Sequence, residues 1–173
     1  MIYMNTGVFI RNNKGALLIF TVLGLSAFLL LMAMAVDITY FFIVRNQIRH
    51  IADNAALAAM GVFTKELGDG ATRSEAVSRA VSAAQEVGSH SKTLDAQSLD
   101  VQITSGDVEF GVYDQSTQSF TVERDPDDPS NLVDAVRVTV RKEGLNPRYE
   151  FYLKSISGFA DANLRSHATA SLV

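Results

Sequence analysis

The sequence predicts an α+β protein, with a long N-terminal transmembrane helix continuing into an amphipathic helix, then a second helix and an antiparallel β-sheet domain. Three observations carry this. Residues Gly15 to Val36 form an apolar run without a charge or a proline. Apolar residues then recur at steps of three and four as far as Val87, the period of a helix face. From Leu99 onward the period changes to two, apolar alternating with polar, as in strands buried on one face.

The apolar run comes first. At about 1.5 Å per residue, a helix from Ala16 to Val36 covers roughly 30 Å, the thickness of a bilayer's hydrocarbon core. Gly15, Ala16, Leu23, Leu30 and Val36 therefore mark a membrane span, with the lipid bilayer as the first partner. Arg11 and Lys14 flank it on one side and Asp37 on the other, and Tyr40, Phe41 and Phe42 follow as an interfacial aromatic belt. Asp37 either marks the membrane exit or pairs with a basic residue of a neighbouring helix, such as Arg45. A cleaved secretory signal is the competing reading, because Ala33-Met34-Ala35 has the small-x-small form. Against it, the run is longer than a signal's apolar region and the helical pattern continues past the cleavage point. Residues 1–14 are then a short tail, 15–36 the span and 37–173 the extracytoplasmic domain, which begins with the helix continuation 37–66. Arg11 and Lys14 against Arg45 and Arg49 barely decide orientation. The short tail has no acidic residue and long C-terminal segments translocate largely regardless of charge, so the N-terminus is placed in the cytoplasm.

Residues 37–173 suffice for one domain. The chain's net charge of −4 leaves −6 for the residues after the span, which is not the balance of a nucleic-acid binder. Cysteine is absent, excluding disulfides, thiol nucleophiles and thiolate metal sites.

After the span there is no glycine until Gly61, and Ile48, Ile51, Ala55, Ala58 and Val62 share one helical face. An unbroken helix from Ala16 to Glu66 would measure roughly 75 Å. Ile48, Ile51, Ala52, Ala55, Ala58 and Ala59 form a small-residue face, suited to packing on the chain's own domain or to contact with other subunits. Gly68-Asp69-Gly70 ends this helix, and Thr72 with Glu75 has the spacing of a capping box. Ala76, Val77, Ala80, Val81, Ala84 and Val87 stripe the second helix, for which Gly88 is the expected stop. Leu99–Ile103, Val108–Val112 and Phe120–Val122 read as three strands of a meander. The Asp125–Pro129 stretch must be a loop or an edge crossing, since its prolines lack ladder donors. Ala135–Val140 reads as a fourth strand, Phe151–Phe159 as a short helix ended by Gly158, and Leu164–Leu172 as a last strand.

These residues carry a resemblance. Lys14-Gly15, the span, Ala35-Val36-Asp37, then Arg45, Gln47, Ile48 and Ala52-Asp53-Asn54-Ala55-Ala56-Leu57-Ala58-Ala59 resemble the Tad (tight adherence) Flp pilus-assembly family, in its TadE/TadG-like branch. Val108-Glu109-Phe110-Gly111-Val112-Tyr113-Asp114, Asp134–Val140 and Ala168-Thr169-Ala170 are similar to the Tad-like C-terminal region. The fifth residue after Gly15 is Phe20, where processed pilins carry glutamate, which argues against prepilin-peptidase cleavage. No Asp-x-Ser-x-Ser sequence of a metal-dependent adhesion domain is present. The resemblance implies a pilin-like overall plan and a structural or accessory component of a Tad-type pilus assembly or secretion apparatus in the bacterial inner membrane. Its implied partners are other pilus-assembly or pilin subunits and further copies of itself.

No enzymatic chemistry and no cofactor are predicted. His50, His90 and His167 lie in three unrelated segments, with no nucleophile or carboxylate at motif spacing. The acidic stretch Asp125, Asp127, Asp128, Asn131 and Asp134 offers hard oxygen ligands, so calcium binding outside the cell is one reading, but it lacks the glycine and closing glutamate of an EF-hand, and a solvated loop is the favoured one. The alternative function is a membrane-anchored extracytoplasmic sensor or ligand-binding domain, which requires a concave pocket. Under the assembly reading, the Ala52–Ala59 face and the sheet edges are the contact surfaces.

Overall fold

Helix α1 runs from Lys14 to Gly68. Its interior holds Gly24 and Gly61 but no proline, so no backbone hydrogen bond is forfeited along it. The computed structural model describes residues 14–91, 93, 101–123, 125–128, 130–143, 146–151, 154 and 161–172. The chain divides into two compact units, Met1–Val36 and Asp37–Val173.

Within the second unit, α1 ends where the sequence places its breaker. Gly70 has φ +86, a conformation open to glycine without strain, and the Ala71 amide reaches back to the Glu66 carbonyl at 3.0 Å. Thr72 then caps α2 (Arg73–His90): its side chain accepts from the Glu75 amide, and the Glu75 carboxylate accepts from the Thr72 amide at 3.0 Å. That reciprocal pair is the expected capping box, and it holds the Glu75 carboxyl below its ordinary pKa. Ala76, Ala80 and Ala84 are buried, and Val77, Val81 and Val87 pack against the core they join.

Gly88 does not stop α2. The helix continues to His90, and a Cβ on Gly88 would lie 2.7 Å from the Val101 carbonyl oxygen. This glycine permits close approach of the 101–103 segment.

A 3₁₀ turn (Ser105–Asp107) leads into β1 (Val108–Asp114), followed by β2 (Ser119–Val122), β3 (Ala135–Lys142), β4 (Tyr149–Glu150), β5 (Asp161–Ala162) and β6 (Leu164–Ser171). A four-stranded antiparallel sheet has the order β2-β1-β3-β6, and β4 pairs with β5 in a separate two-stranded ladder. The register sets Phe110 opposite Val136 and Val136 opposite Ala170; Val138 lies between Val108 and Ala168. Period-two alternation thus gives one face of valine, phenylalanine and alanine, which joins the buried residues of α1 and α2 in one core.

The expected strand at Leu99–Ile103 is not formed over its described part, residues 101–103. Val101 and Ile103 are buried and Gln102 is exposed, as alternation requires. The backbone of Gln102 is bonded elsewhere: its amide donates to Asn146 Oδ1 at 2.8 Å, and its carbonyl accepts from Asn146 Nδ2 at 2.9 Å. One side-chain amide replaces the neighbouring strand. Leu99 and, in the expected C-terminal helix, Leu153, Ile156, Gly158 and Phe159 lie outside the described residues.

Candidate functional site

In the first unit, the described side chains from Leu17 to Val36 are exposed, with Ala33 half-buried. Gly15, Leu23, Leu30 and Val36 are exposed with them, and the Ala16 side chain lies outside the described set. The two hydroxyls in the run are satisfied within the helix, Thr21 donating to the Leu17 carbonyl at 2.9 Å and Ser26 to the Val22 carbonyl at 2.8 Å. A segment bonded in this way needs no water for its polar groups, the condition that hydrocarbon imposes. Among the described residues, α1 is the one helix long and apolar enough to cross a membrane.

The second unit begins at Asp37, which is buried, its carbonyl oxygen accepting a long 3.4 Å hydrogen bond from the Tyr149 hydroxyl. Tyr149 is enclosed by aromatic rings, with its centroid 5.6 Å from Phe41 and 5.1 Å from Phe151, both edge-on. Phe41 therefore belongs to the domain's aromatic core rather than to an interfacial belt; Tyr40 and Phe42 are exposed. Further along α1, Ile48, Ile51, Ala52, Ala55 and Ala59 are buried in the core and Ala58 is half-buried. Packing on the chain's own domain takes most of this small-residue face. The Phe63 ring closes it against Phe110 on β1, centroids 5.5 Å apart.

What remains outside is specific. Leu57 is 65% exposed on α1, flanked by exposed Asn54 and Gly61. Strands β2 and β6 are the edges of the four-stranded sheet. A polar cleft of about 520 Å³ is lined by Thr104, Asp107, Arg141, Glu143 and Asn146, among others. Its charges are largely paired: Asp107 accepts from Arg141 and from the Thr104 hydroxyl, and Glu143 lies 3.9 Å from Arg141, while among the described residues the buried Arg141 Nε has no hydrogen-bond partner. A second cleft, of about 510 Å³, lies between α1 and β6 and is basic, lined by Arg45, Arg49, Arg165 and His167.

The histidines sit on separate elements: His50 is exposed on α1, His90 bonds the Glu86 carbonyl at 2.9 Å, and His167 is exposed on β6. In the acidic loop, Asp128 accepts from the Ser130 amide and hydroxyl, which lowers its pKa, and Asp134 accepts from the Tyr113 amide at 2.8 Å. These two carboxylates shape the loop. Among the described residues, no group of three or more histidine, aspartate or glutamate side chains is placed to hold a metal ion.

Residues 64–170 match the family described as Tad-like Flp pilus-assembly, and residues 15–62 match the family described as Flp pilus-assembly TadE/G-like. The chain belongs to the Tad-like Flp pilus-assembly family. No curated protein and no solved structure matches it. This Tad protein is thus a pilus-assembly component of a structural or accessory family, and its N-terminal apolar helix fits a single-pass membrane protein of such a system. The two matches meet near residue 63, inside α1, so the family boundary is not a structural one.

Several working residues of the Tad domain carry no sequence signal. Lys142, on the core face of β3, is buried and donates to the Thr93 hydroxyl at 2.9 Å. Asn146 is buried and also bonds the Arg141 carbonyl at 2.8 Å. Both depend on partners more than 40 residues away. Arg165 and His167 were visible as the polar positions of an alternating strand, but their nearness to Arg45 and Arg49 was not.

Proposed function

We propose that this protein is an inner-membrane anchored component of a Tad-type pilus assembly or secretion apparatus, acting by protein contacts. Gly15–Val36 holds it in the bilayer, residues 1–14 face the cytoplasm, and residues 37–173 form the periplasmic or extracellular domain, with Asp37 at the membrane exit. The observation that carries this reading is the change in burial along α1. Apolar side chains up to Val36 are left exposed, and from Val44 onward one face is buried in a folded core. Family membership supports the pilus context. Leu57, half-buried Ala58 and the edge of β6 are the contact surfaces this reading favours for other pilus subunits or a second copy.

The test is purification of the full chain from membranes in mild detergent, with intact mass and identification of co-purifying proteins. An intact chain accompanied by pilus-assembly or pilin subunits supports the reading. A chain beginning near Val36 and found in the soluble fraction alone overturns it. Saturable binding of a small solute at the Asp107–Arg141 cleft, with no pilus partner recovered, would favour the sensor alternative.

A further inference from the structure

Most of the cations in the described domain have counter-charges. Arg79 pairs with Glu66, Arg137 with Glu109, Arg141 with Asp107, Arg148 with Asp161, Lys65 with Asp69 and Lys154 with Glu150. Arg73 donates to the Pro126 carbonyl and lies over the Phe63 ring, and Lys142 donates to Thr93. Arg45, Arg49 and Arg165 stand apart: among the described residues none of the three side chains has a hydrogen bond or an ion pair, and all three line the same cleft. His167, Asn46 and Phe42 complete much of its wall, and no lining residue is acidic.

This concentration runs against the electrostatics of the chain, which carries 19 acidic residues to 15 basic ones. Arg45 and Arg49 are four apart on α1, a like-charge spacing that weakens a helix. Arg165 lies opposite Arg141 in the β3–β6 ladder, a like-charge cross-strand pair. An anion in the cleft would relieve the first repulsion and give each guanidinium the oxygen acceptors its fork is shaped for.

The neighbouring surface indicates which anion. Ile38, Tyr40, Phe42 and Ile43 are exposed on α1 immediately before Arg45, so aromatic and aliphatic side chains adjoin unpaired guanidinium groups. That is the composition of a membrane–water interface, with apolar groups for the upper acyl region and cations for the phosphates. Arg45 follows Val36, the last residue of the apolar run, by only nine positions.

We propose that the Arg45–Arg49–Arg165 cleft binds the phosphate diester of an anionic glycerophospholipid headgroup. The two α1 arginines grip it from one side and Arg165 of β6 from the other. Phe42 lies against the glycerol. The headgroup thereby links α1 to the edge strand of the sheet. This rests on the reading of Gly15–Val36 as a span.

The experiment is a lipid titration of the full-length protein in mild detergent, read by native mass spectrometry, with phosphatidylglycerol and phosphatidylcholine as probes. The wild type is expected to retain phosphatidylglycerol preferentially. Arg45→Gln with Arg49→Gln and Arg165→Gln should lower that affinity on the order of 100-fold, leave phosphatidylcholine retention unchanged and not lower the thermal unfolding midpoint. Arg79→Gln, on α2 and away from the cleft, should have no effect. If the triple variant does not fold, Arg45→Gln and Arg165→Gln are read singly, each expected to cost about fivefold. Equal phosphatidylglycerol affinity in wild type and variants overturns the proposal. So does competition by inorganic phosphate at equal concentration, which would mark a free-anion site. Unchanged lipid affinity together with lost cross-linking to a pilus subunit would overturn it in favour of an acidic protein partner. Failure of the wild-type chain to sediment with membranes would overturn the span reading itself, whereas loss of lipid preference in a chain that still sediments removes only the headgroup site.

Discussion

The two parts of α1 on either side of Asp37 obey opposite rules while sharing one helical backbone. Before Asp37 the helix carries large apolar side chains and leaves them exposed, and its hydroxyls turn back onto carbonyls of the same helix. After it, one face carries Val44, Ile48, Ala52, Ala55, Ala59 and Phe63, all buried, and polar residues such as Arg45, Arg49 and Asn54 are exposed around the rest of the helix. Backbone hydrogen bonding is indifferent to the solvent around a helix, so helical continuity says nothing about where water ends. Side-chain burial does. The difference teaches that the change from an exposed apolar surface to a packed face lies within one element and is drawn by composition.

The strongest way to break the comparison is to place charge in the first part. Leu23→Arg combined with Leu30→Arg adds about 2.5–3.5 kcal/mol per residue to membrane insertion. The full chain should then vanish from the carbonate-resistant membrane fraction, and its retention there would remove the span. Phe63→Ala attacks the second part, deleting a ring that packs on Phe110, and should cost about 3–5 kcal/mol in denaturant unfolding without changing membrane retention. A smaller effect sharpens the contrast. Ala55→Leu overfills a buried site and should cost about 1–3 kcal/mol, whereas the same change at exposed Ala27 should leave both unfolding and membrane retention unaltered. Equal costs at the two sites would mean that both parts of the helix are packed alike.

The smallest effect is one of pH and concerns the β1–β2 turn. Asp114 accepts from the Ser116 hydroxyl at 2.6 Å, the Ser116 amide at 2.8 Å and the Thr117 amide at 3.4 Å, and the Ser116 and Thr117 side chains, with these amides, hold its pKa down at about 2. A depressed carboxylate contributes stability above its unfolded-state pKa, and that contribution is lost as the pH falls toward the folded value. Stability should therefore drop between about pH 4 and pH 2, and Asp114→Asn should flatten that drop. An NMR titration placing the Asp114 midpoint near 4 would contradict it.

Periodicity made the helices legible because each pattern is local. The breaker at Gly68-Asp69-Gly70 and the box at Thr72 and Glu75 act within one turn, and the structure has them where the residues predict. The hairpin of β1 and β2 was equally plain. At residues 101–103 the same reasoning named the right buried side chains but the wrong hydrogen-bond partner, because Asn146 arrives from a distant segment. Gly88 misled for a related reason, since a glycine that ends a helix and one that admits a neighbouring chain look alike in sequence. The exposed Tyr40 and Phe42 and the half-buried Phe41 between them were indistinguishable until Tyr149 and Phe151 were placed.

The sequence by itself determined the apolar run, the helical period that follows it, the break at Gly68-Asp69-Gly70 with the Thr72 cap, and which strand residues share a face. These rest on composition and on contacts within a few residues. Tertiary structure alone decided that the alanine face of α1 is largely consumed by the protein's own core, that Asn146 substitutes for a strand, and that Arg45, Arg49 and Arg165 share one cleft without a carboxylate. Such pairings join residues separated by tens to more than a hundred positions. No periodicity records them, because only the folded backbone brings those distances to zero.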